Sequence, residues 1–254
     1  MNWLLQLLSN KAGIIVLTLV AMMLLERAFP VVRVRFNVDR IVRNFSLAGL
    51  NVLLGPLIVI PVTTIAAGHA FYWQPQWWSG WTGLLLDLLI LDCWIYFWHR
   101  VNHVVPFLWR FHEVHHLDET LDASSALRFH FGEVMLSSLV RAVVIIVLGL
   151  PILTVVVFET LITMAAIFHH SNIRLPARLE KLLSLIIVTP SIHWVHHHAR
   201  RSDTDANYST ILSIWDRLFG SVAAGTRIPD MLIGVEGVKE QKLLRLILRP
   251  FYRA

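Results

Sequence analysis

The chain has 254 residues, of which 56% are hydrophobic and only 15% charged, and its mean hydropathy is +0.62. These values exclude an ordinary soluble domain, in which about a quarter of residues are charged, and describe a membrane protein. The net charge of +5 comes with no nucleic-acid motif and suits an anionic membrane surface, while the single cysteine, Cys93, excludes an intrachain disulfide and a cysteine-rich metal cage.

In chain order, an uninterrupted apolar run at 12–25 lies inside a first candidate span, 11–29, and a second follows at 45–68; both approach or reach the ~20 residues that a crossing helix needs. The first has no basic leading region and no small-residue cleavage site, and more spans follow it, so it reads as a span and not as a signal peptide. Trp73, Trp77, Trp78 and Trp81 read as an interfacial aromatic belt. A third span at 82–98 carries Asp87 and Asp92. The fourth and fifth, 134–150 and 152–168, meet at Gly149 and Pro151, the signature of a tight hairpin. Arg141 falls inside the fourth, so either that helix begins later or Arg141 faces the protein interior.

The expected architecture is all-α, a polytopic membrane helical bundle with a cytoplasmic histidine-rich helical cap. Its parts are an N-terminal transmembrane hairpin region at 1–80, a catalytic domain at 81–222, and a basic amphipathic tail at 223–254. In that tail Lys239, Lys242, Arg245 and Arg249 alternate with leucines, a pattern for a helix lying along the inner leaflet or docking on a partner. Loop charge gives the orientation. The first loop holds Arg27, Arg33, Arg35, Arg40 and Arg43, whereas 69–80 holds no Lys or Arg, so the positive-inside rule puts the first loop in the cytoplasm. Threading onward brings every histidine-rich segment to that same face.

Three clusters dominate the chemistry: His99 with His103; His112, His115 and His116; and His193, His196, His197 and His198. On a helix, residues three and four apart share a face, so each triplet at i, i+3, i+4 aims its imidazoles in one direction. Neutral imidazole is a ligand for Zn, Fe, Cu and Ni. An all-imidazole shell also calls for nearby carboxylates to accept the free ring N–H groups; Glu113, Glu133, Asp92, Asp203 and Asp205 are the candidates. Asp92 stands two turns before His99 on the same face. His69 falls on the opposite side of the membrane, and His169 and His198 fit the spacing less well than their neighbours.

The segment from His112 to His116 also satisfies H-E-x-x-H, in which two histidines hold zinc and the glutamate, here Glu113, is the general base of a protease. An intramembrane zinc metalloprotease is therefore the rival enzyme. It would leave most of the histidines idle, and the second triplet has Trp194 where a glutamate would stand; repeated ligand spacing without a repeated base suits two metals. A non-catalytic metal-binding protein or transporter is disfavoured because transport sites lie near the bilayer midplane.

Read together, the ordered set from His99 to Gly220 resembles the fatty acid hydroxylase/sterol desaturase superfamily of integral-membrane di-iron oxygenases. The set is His99 and His103; Trp109 with His112, His115 and His116; His130 with Glu133; His170 with Asn172; His193, His196 and His197; Asn207 with Tyr208; and Ile214 to Gly220. The resemblance implies two iron ions, with zinc able to enter the same imidazoles on purification. It also implies O2 as co-substrate, a lipid substrate to be hydroxylated or desaturated, and a ligand set of His99, His103, His112, His115, His116, His193, His196 and His197. His170 is the implied ninth ligand and His130 a further one, although Phe131 and Gly132 depart from the family's pattern there. The chain has no dinucleotide fingerprint and no haem or Fe–S ligand set, so electrons are expected from a separate reductase with a cytochrome or ferredoxin-type carrier.

Overall fold

The structure, a computed structural model, describes residues 2–71 and 73–252. Helices account for nearly all of its regular structure, and the described residues form no strand, only isolated bridges such as Ile187 to Leu212. Helix α1 (Asn2–Ala28) contains the first apolar run in one unbroken element. Asn37 opens α2 (Val38–Leu54), its side chain accepting from Arg40 N, as N-cap residues do. Helix α3 (Val59–Gly68) follows, then α4 (Gly80–Val104), α5 (Pro106–His116), α6 (Phe131–Leu148) and α7 (Ile152–His170). Five short α-helices follow among the described residues: α8 (Ala177–Leu183), α9 (Pro190–His196), α10 (Arg201–Thr204), α11 (Ile214–Leu218) and α12 (Leu243–Leu248).

Helices α4, α6 and α7 are long and apolar enough to cross a membrane. The second expected span, 45–68, is not one continuous helix. It is split into α2 and α3, which are bent by 44° across the break and together are long and apolar enough for a broken span or a re-entrant loop. Pro56 sits in the break and has no N–H to continue the ladder, while Gly55 N still reaches Asn51 O at 2.8 Å. Apolar residues on the outer faces, among them Val16, Leu17 and Leu24 of α1 and Val143 and Val147 of α6, are exposed. Such an apolar exterior is what a hydrocarbon solvent requires.

The α6–α7 hairpin turns at Gly149, whose φ of +67° puts it in the left-handed region and whose missing Cβ would stand 2.4 Å from Phe71 O. Only glycine fits both conditions. Inside the bundle, Arg141 Nη2 donates to Glu159 Oε1 of α7 at 2.6 Å, and Lys11 of α1 pairs with the same carboxylate. Arg141 therefore faces the interior, where an intramembrane charge finds its partner.

At the histidine end, the buried Arg40 of α2 grips the loop after α5. It meets Asp118 at 2.7 and 2.9 Å, Asp122 at 2.5 Å, and Thr120 O at 2.6 Å. The C-terminal segment packs on the same region, with its helix limited to Leu243–Leu248, shorter than a tail-length helix. Leu246 is fully buried with Leu47, Val114 and Leu117, and Glu240 makes two 2.8 Å hydrogen bonds with the buried Arg128. The tail thus docks on its own chain.

Candidate metal centre

Four helix ends deliver the histidines. The last two turns of α4 carry His99 and His103. Helix α5, opened by Pro106 where a missing N–H costs nothing, carries His112, His115 and His116. The end of α7 brings His170, and α9, opened by Pro190, brings His193 and His196 with His197 at its C-cap. Their ligand-capable nitrogens form two groups, each with all atoms within 4.8 Å of one another: His99, His103, His112, His116 and His196 in one, and His115, His170, His193 and His197 in the other. The two triplets cross. From α5 the i, i+4 pair His112 and His116 enters the first group and His115 the second; from α9 the pair His193 and His197 enters the second and His196 the first.

The other ring nitrogens decide the tautomers. Nδ1 of His99 faces Tyr208 O at 2.8 Å, that of His115 faces Arg128 O at 3.2 Å, that of His170 faces Ala166 O at 2.7 Å, and that of His196 faces Ala206 O at 2.7 Å. His112 Nδ1 lies 2.8 Å from Glu133 Oε1. Carbonyl and carboxylate oxygens only accept, so these five rings carry their proton on Nδ1 and a lone pair on Nε2. Yet His99 Nε2 lies 3.2 Å from His112 Nε2, and His115 Nε2 lies 2.9 Å from His170 Nε2. Two lone pairs aimed at each other repel, and a cation between the rings turns that repulsion into attraction. Protonating a ring would not serve, because burial pushes His115, His116, His193 and His197 well below the usual imidazole range and His196 down to about 3. Nε2 of His103 and of His196 are buried with no hydrogen-bond partner. The donor set fits one metal ion per group.

The candidate carboxylates separate into different roles. Glu133 accepts from His112, and Asp205 Oδ1 stands 3.4 Å from His103 Nδ1 while also holding Arg201. Asp203 accepts from His198 Nδ1 at 2.7 Å, outside both groups. Asp92 does not meet a ligand ring. It accepts from Trp215 Nε1 and from Ile211 N and Leu212 N in the loop ahead of α11. Asp92 acts on His99 only through that loop, whose Tyr208 carbonyl meets His99. Glu113 points away from the histidines, held by Arg249 Nε at 2.8 Å and Nη2 at 3.1 Å.

His130 also lies outside the two groups. Its Nδ1 accepts from Gly132 N at the start of α6 and its Nε2 donates to Ile247 O at 2.9 Å, so both nitrogens are spent on backbone. His169 packs its ring 3.9 Å from that of His193 and bonds to the Thr210 backbone. The aromatic walls were less visible in the sequence than the ligands. Phe129 stacks on His115 at 4.3 Å, Trp109 packs against His103 and His116, and Tyr208 lies against His99, His103 and His196. Asp216 holds Tyr208 N and Ser209 N at 2.7 and 3.0 Å and so fixes the loop that orients His99.

Comparison with known proteins gives this arrangement a family. The fatty acid hydroxylase family model matches residues 84–221. Ornithine lipid hydroxylase OlsE of Rhizobium tropici is 28% identical over 204 residues, 79% of this chain and 60% of that protein. Alkylglycerol monooxygenase of Danio rerio is 34% identical over 147 residues, 58% of this chain and 32% of its own length. Cholesterol 25-hydroxylase of Mus musculus is 25% identical over 154 residues, covering 59% and 49%. The chain thus spans from 32% to 60% of the length of these curated relatives. No solved structure matches it. With the matched segment running from the first turns of α4 to the loop beyond α11 and enclosing every histidine of both groups, the chain belongs to the fatty acid hydroxylase family.

Proposed function

We propose that this chain is a membrane-bound lipid hydroxylase that holds two iron ions in its two histidine groups and uses O2 with electrons from a separate donor. The observation that carries this reading is the division of nine histidines into groups of five and four whose Nε2 lone pairs face one another. The metals, when bound, supply O2 activation, so that one oxygen atom enters a lipid C–H bond and the other leaves as water with two electrons and two protons consumed.

The protein's own residues do the positioning. Backbone carbonyls of Tyr208, Arg128, Ala166 and Ala206 hold four rings in the metal-binding tautomer, and Glu133 does so for His112 with a charge-assisted hydrogen bond. Stacked aromatic walls and near-complete burial of the rings keep bulk water from the site. Hydroxylation is favoured over desaturation because the relatives carry hydroxylase and monooxygenase names, and those names span several lipid classes. A zinc protease would need Glu113 free at the metal, and its carboxylate is engaged by Arg249. Loop charge supports a cytoplasmic site, and the absence of a dinucleotide fingerprint from the sequence supports an external reductase with its own carrier.

Expression in a lipid-producing host under labelled dioxygen tests the reading. A lipid gaining one labelled oxygen atom only when the histidines are intact is the expected result. Peptide cleavage without any labelled lipid would overturn it.

A further inference from the structure

Away from the histidine groups, α8, α9, α11 and the segment 222–227 enclose a recess of about 410 Å³. Its depth in the membrane follows from Asp92. This residue stands seven positions before His99 on α4, about 10 Å along the helix toward the bilayer interior, and it holds the backbone of Ile211 and Leu212. The segment leading into α11 therefore lies beside a spanning helix, below the level of the histidines. Leu185, Ile186, Ile214 and Leu218 turn outward there, all exposed. The recess lies between this apolar rim and α9, a position that suits the boundary between headgroups and hydrocarbon.

The recess is lined by three cations, Lys181, Arg217 and Arg227. One acid, Asp216, also lines it, but that carboxylate is occupied by Tyr208 N, Ser209 N and Ser221 Oγ. Arg217 spends part of its guanidinium on Leu185 O at 2.6 Å. Arg227 is the unusual member. Its side chain is only 9% exposed, its Nη2 reaches Glu180 at 2.9 and 3.1 Å, and its guanidinium lies over the Trp194 ring at 5.7 Å. Its Nη1 is buried with no hydrogen-bond partner. Most buried side-chain donors in folded proteins have a partner, and a guanidinium offers its fork to oxyanions such as phosphate. Burial, with Arg174 adding repulsion, pulls Arg227 below its usual range in spite of Glu180, so the site still favours more negative charge.

We propose that this recess binds the phosphate-bearing anionic headgroup of a bilayer lipid, with the Arg227 guanidinium as its buried cation and Lys181 and Arg217 as its exposed ones. The apolar rim gives the headgroup's own chains a surface to lie on, which a free phosphate would not need. This site does not depend on the oxygenase reading, since neither the cations nor the rim belong to the histidine groups.

The test is calorimetric titration of the full chain in neutral detergent with short-chain phosphatidylglycerol, short-chain phosphatidylcholine and inorganic phosphate. One saturable site for phosphatidylglycerol is expected, with inorganic phosphate and phosphatidylcholine at least tenfold weaker. Replacing the pair together, Arg227→Gln with Glu180→Gln, leaves no buried charge unpaired and should weaken phosphatidylglycerol tenfold or more. The exposed-cation variant, Lys181→Ala with Arg217→Ala, should weaken it severalfold and decides the matter if the first variant fails to fold. Unchanged affinity in a folded variant would overturn the site. Inorganic phosphate binding as tightly as the lipid would replace the headgroup by a free anion, and phosphatidylcholine binding as tightly would remove the requirement for net charge; either result defeats the proposal.

Discussion

Glu133 and His112 form the shortest carboxylate–imidazole contact within the histidine groups among the described residues, 2.8 Å from Oε1 to Nδ1, with the other carboxylate oxygen buried and unpartnered. The carboxylate comes from the first turn of α6 and the imidazole from α5, so the contact ties a spanning helix to the cap. Loss of such an outer carboxylate typically costs a metalloprotein about 10–100-fold in metal affinity or activity. Glu133→Ala should fall in that range, and Glu133→Gln, which keeps an acceptor, should lose less. Metal retained after dialysis against a graded chelator series checks the ranking; equal retention in all three proteins would show that the contact does not support the ligand.

Glu113 is expected to behave as a docking residue. Its ion pair with Arg249 is partly exposed, and such pairs contribute about 1 kcal/mol or less. Glu113→Gln should keep its metal and most of its turnover, and should lower the melting temperature slightly. Arg249→Ala should do the same, and the double variant should cost little more than either one. Abolished turnover with full metal content would instead give Glu113 the role of a general base.

The metal-stripped protein should be acid-labile. Burial holds His115, His116, His193 and His197 well below the ordinary imidazole value and His196 at about 3, so below about pH 6.5 the unfolded chain binds more protons than the folded one. Stability then falls as pH falls through that value. Several rings act together, so the decline should be steeper than one proton per chain. Asp118 adds to it at lower pH: burial alone would raise its carboxyl, but Arg40 and Arg128 hold it below the usual range, and the stability this gives is lost once the carboxylate protonates. Denaturant midpoints of apo protein between pH 8 and 4 measure the slope, and a flat profile would contradict the burial of these rings in neutral form.

Most of the histidines that the structure gathers into the two groups were legible, because helical spacing puts i, i+3 and i+4 on one face and imidazole has few other reasons to recur at that spacing. The division into two groups was not legible. It depends on α5 and α9 meeting with crossed registers, which only tertiary packing fixes. The partners of Nδ1 escaped for a related reason: four are backbone carbonyls, and any residue type supplies one. Asp92 illustrates the limit of face arguments, since it stands two turns along α4 from His99 while a segment distant in sequence takes its carboxylate. His130 carries the expected residue type, but its nitrogens cap α6 and hold Ile247 O. The break between α2 and α3 was written in Gly55 and Pro56 inside an otherwise continuous apolar run.

Metal stoichiometry with Mössbauer spectroscopy on anaerobically purified protein tests the two-group centre most directly. The crossed triplets predict two iron ions per chain. His115→Ala and His196→Ala each remove the middle histidine of one triplet, from opposite groups, and each should lower bound iron and abolish lipid oxidation. A single tightly bound metal per chain, with His196→Ala still active, would contradict the account.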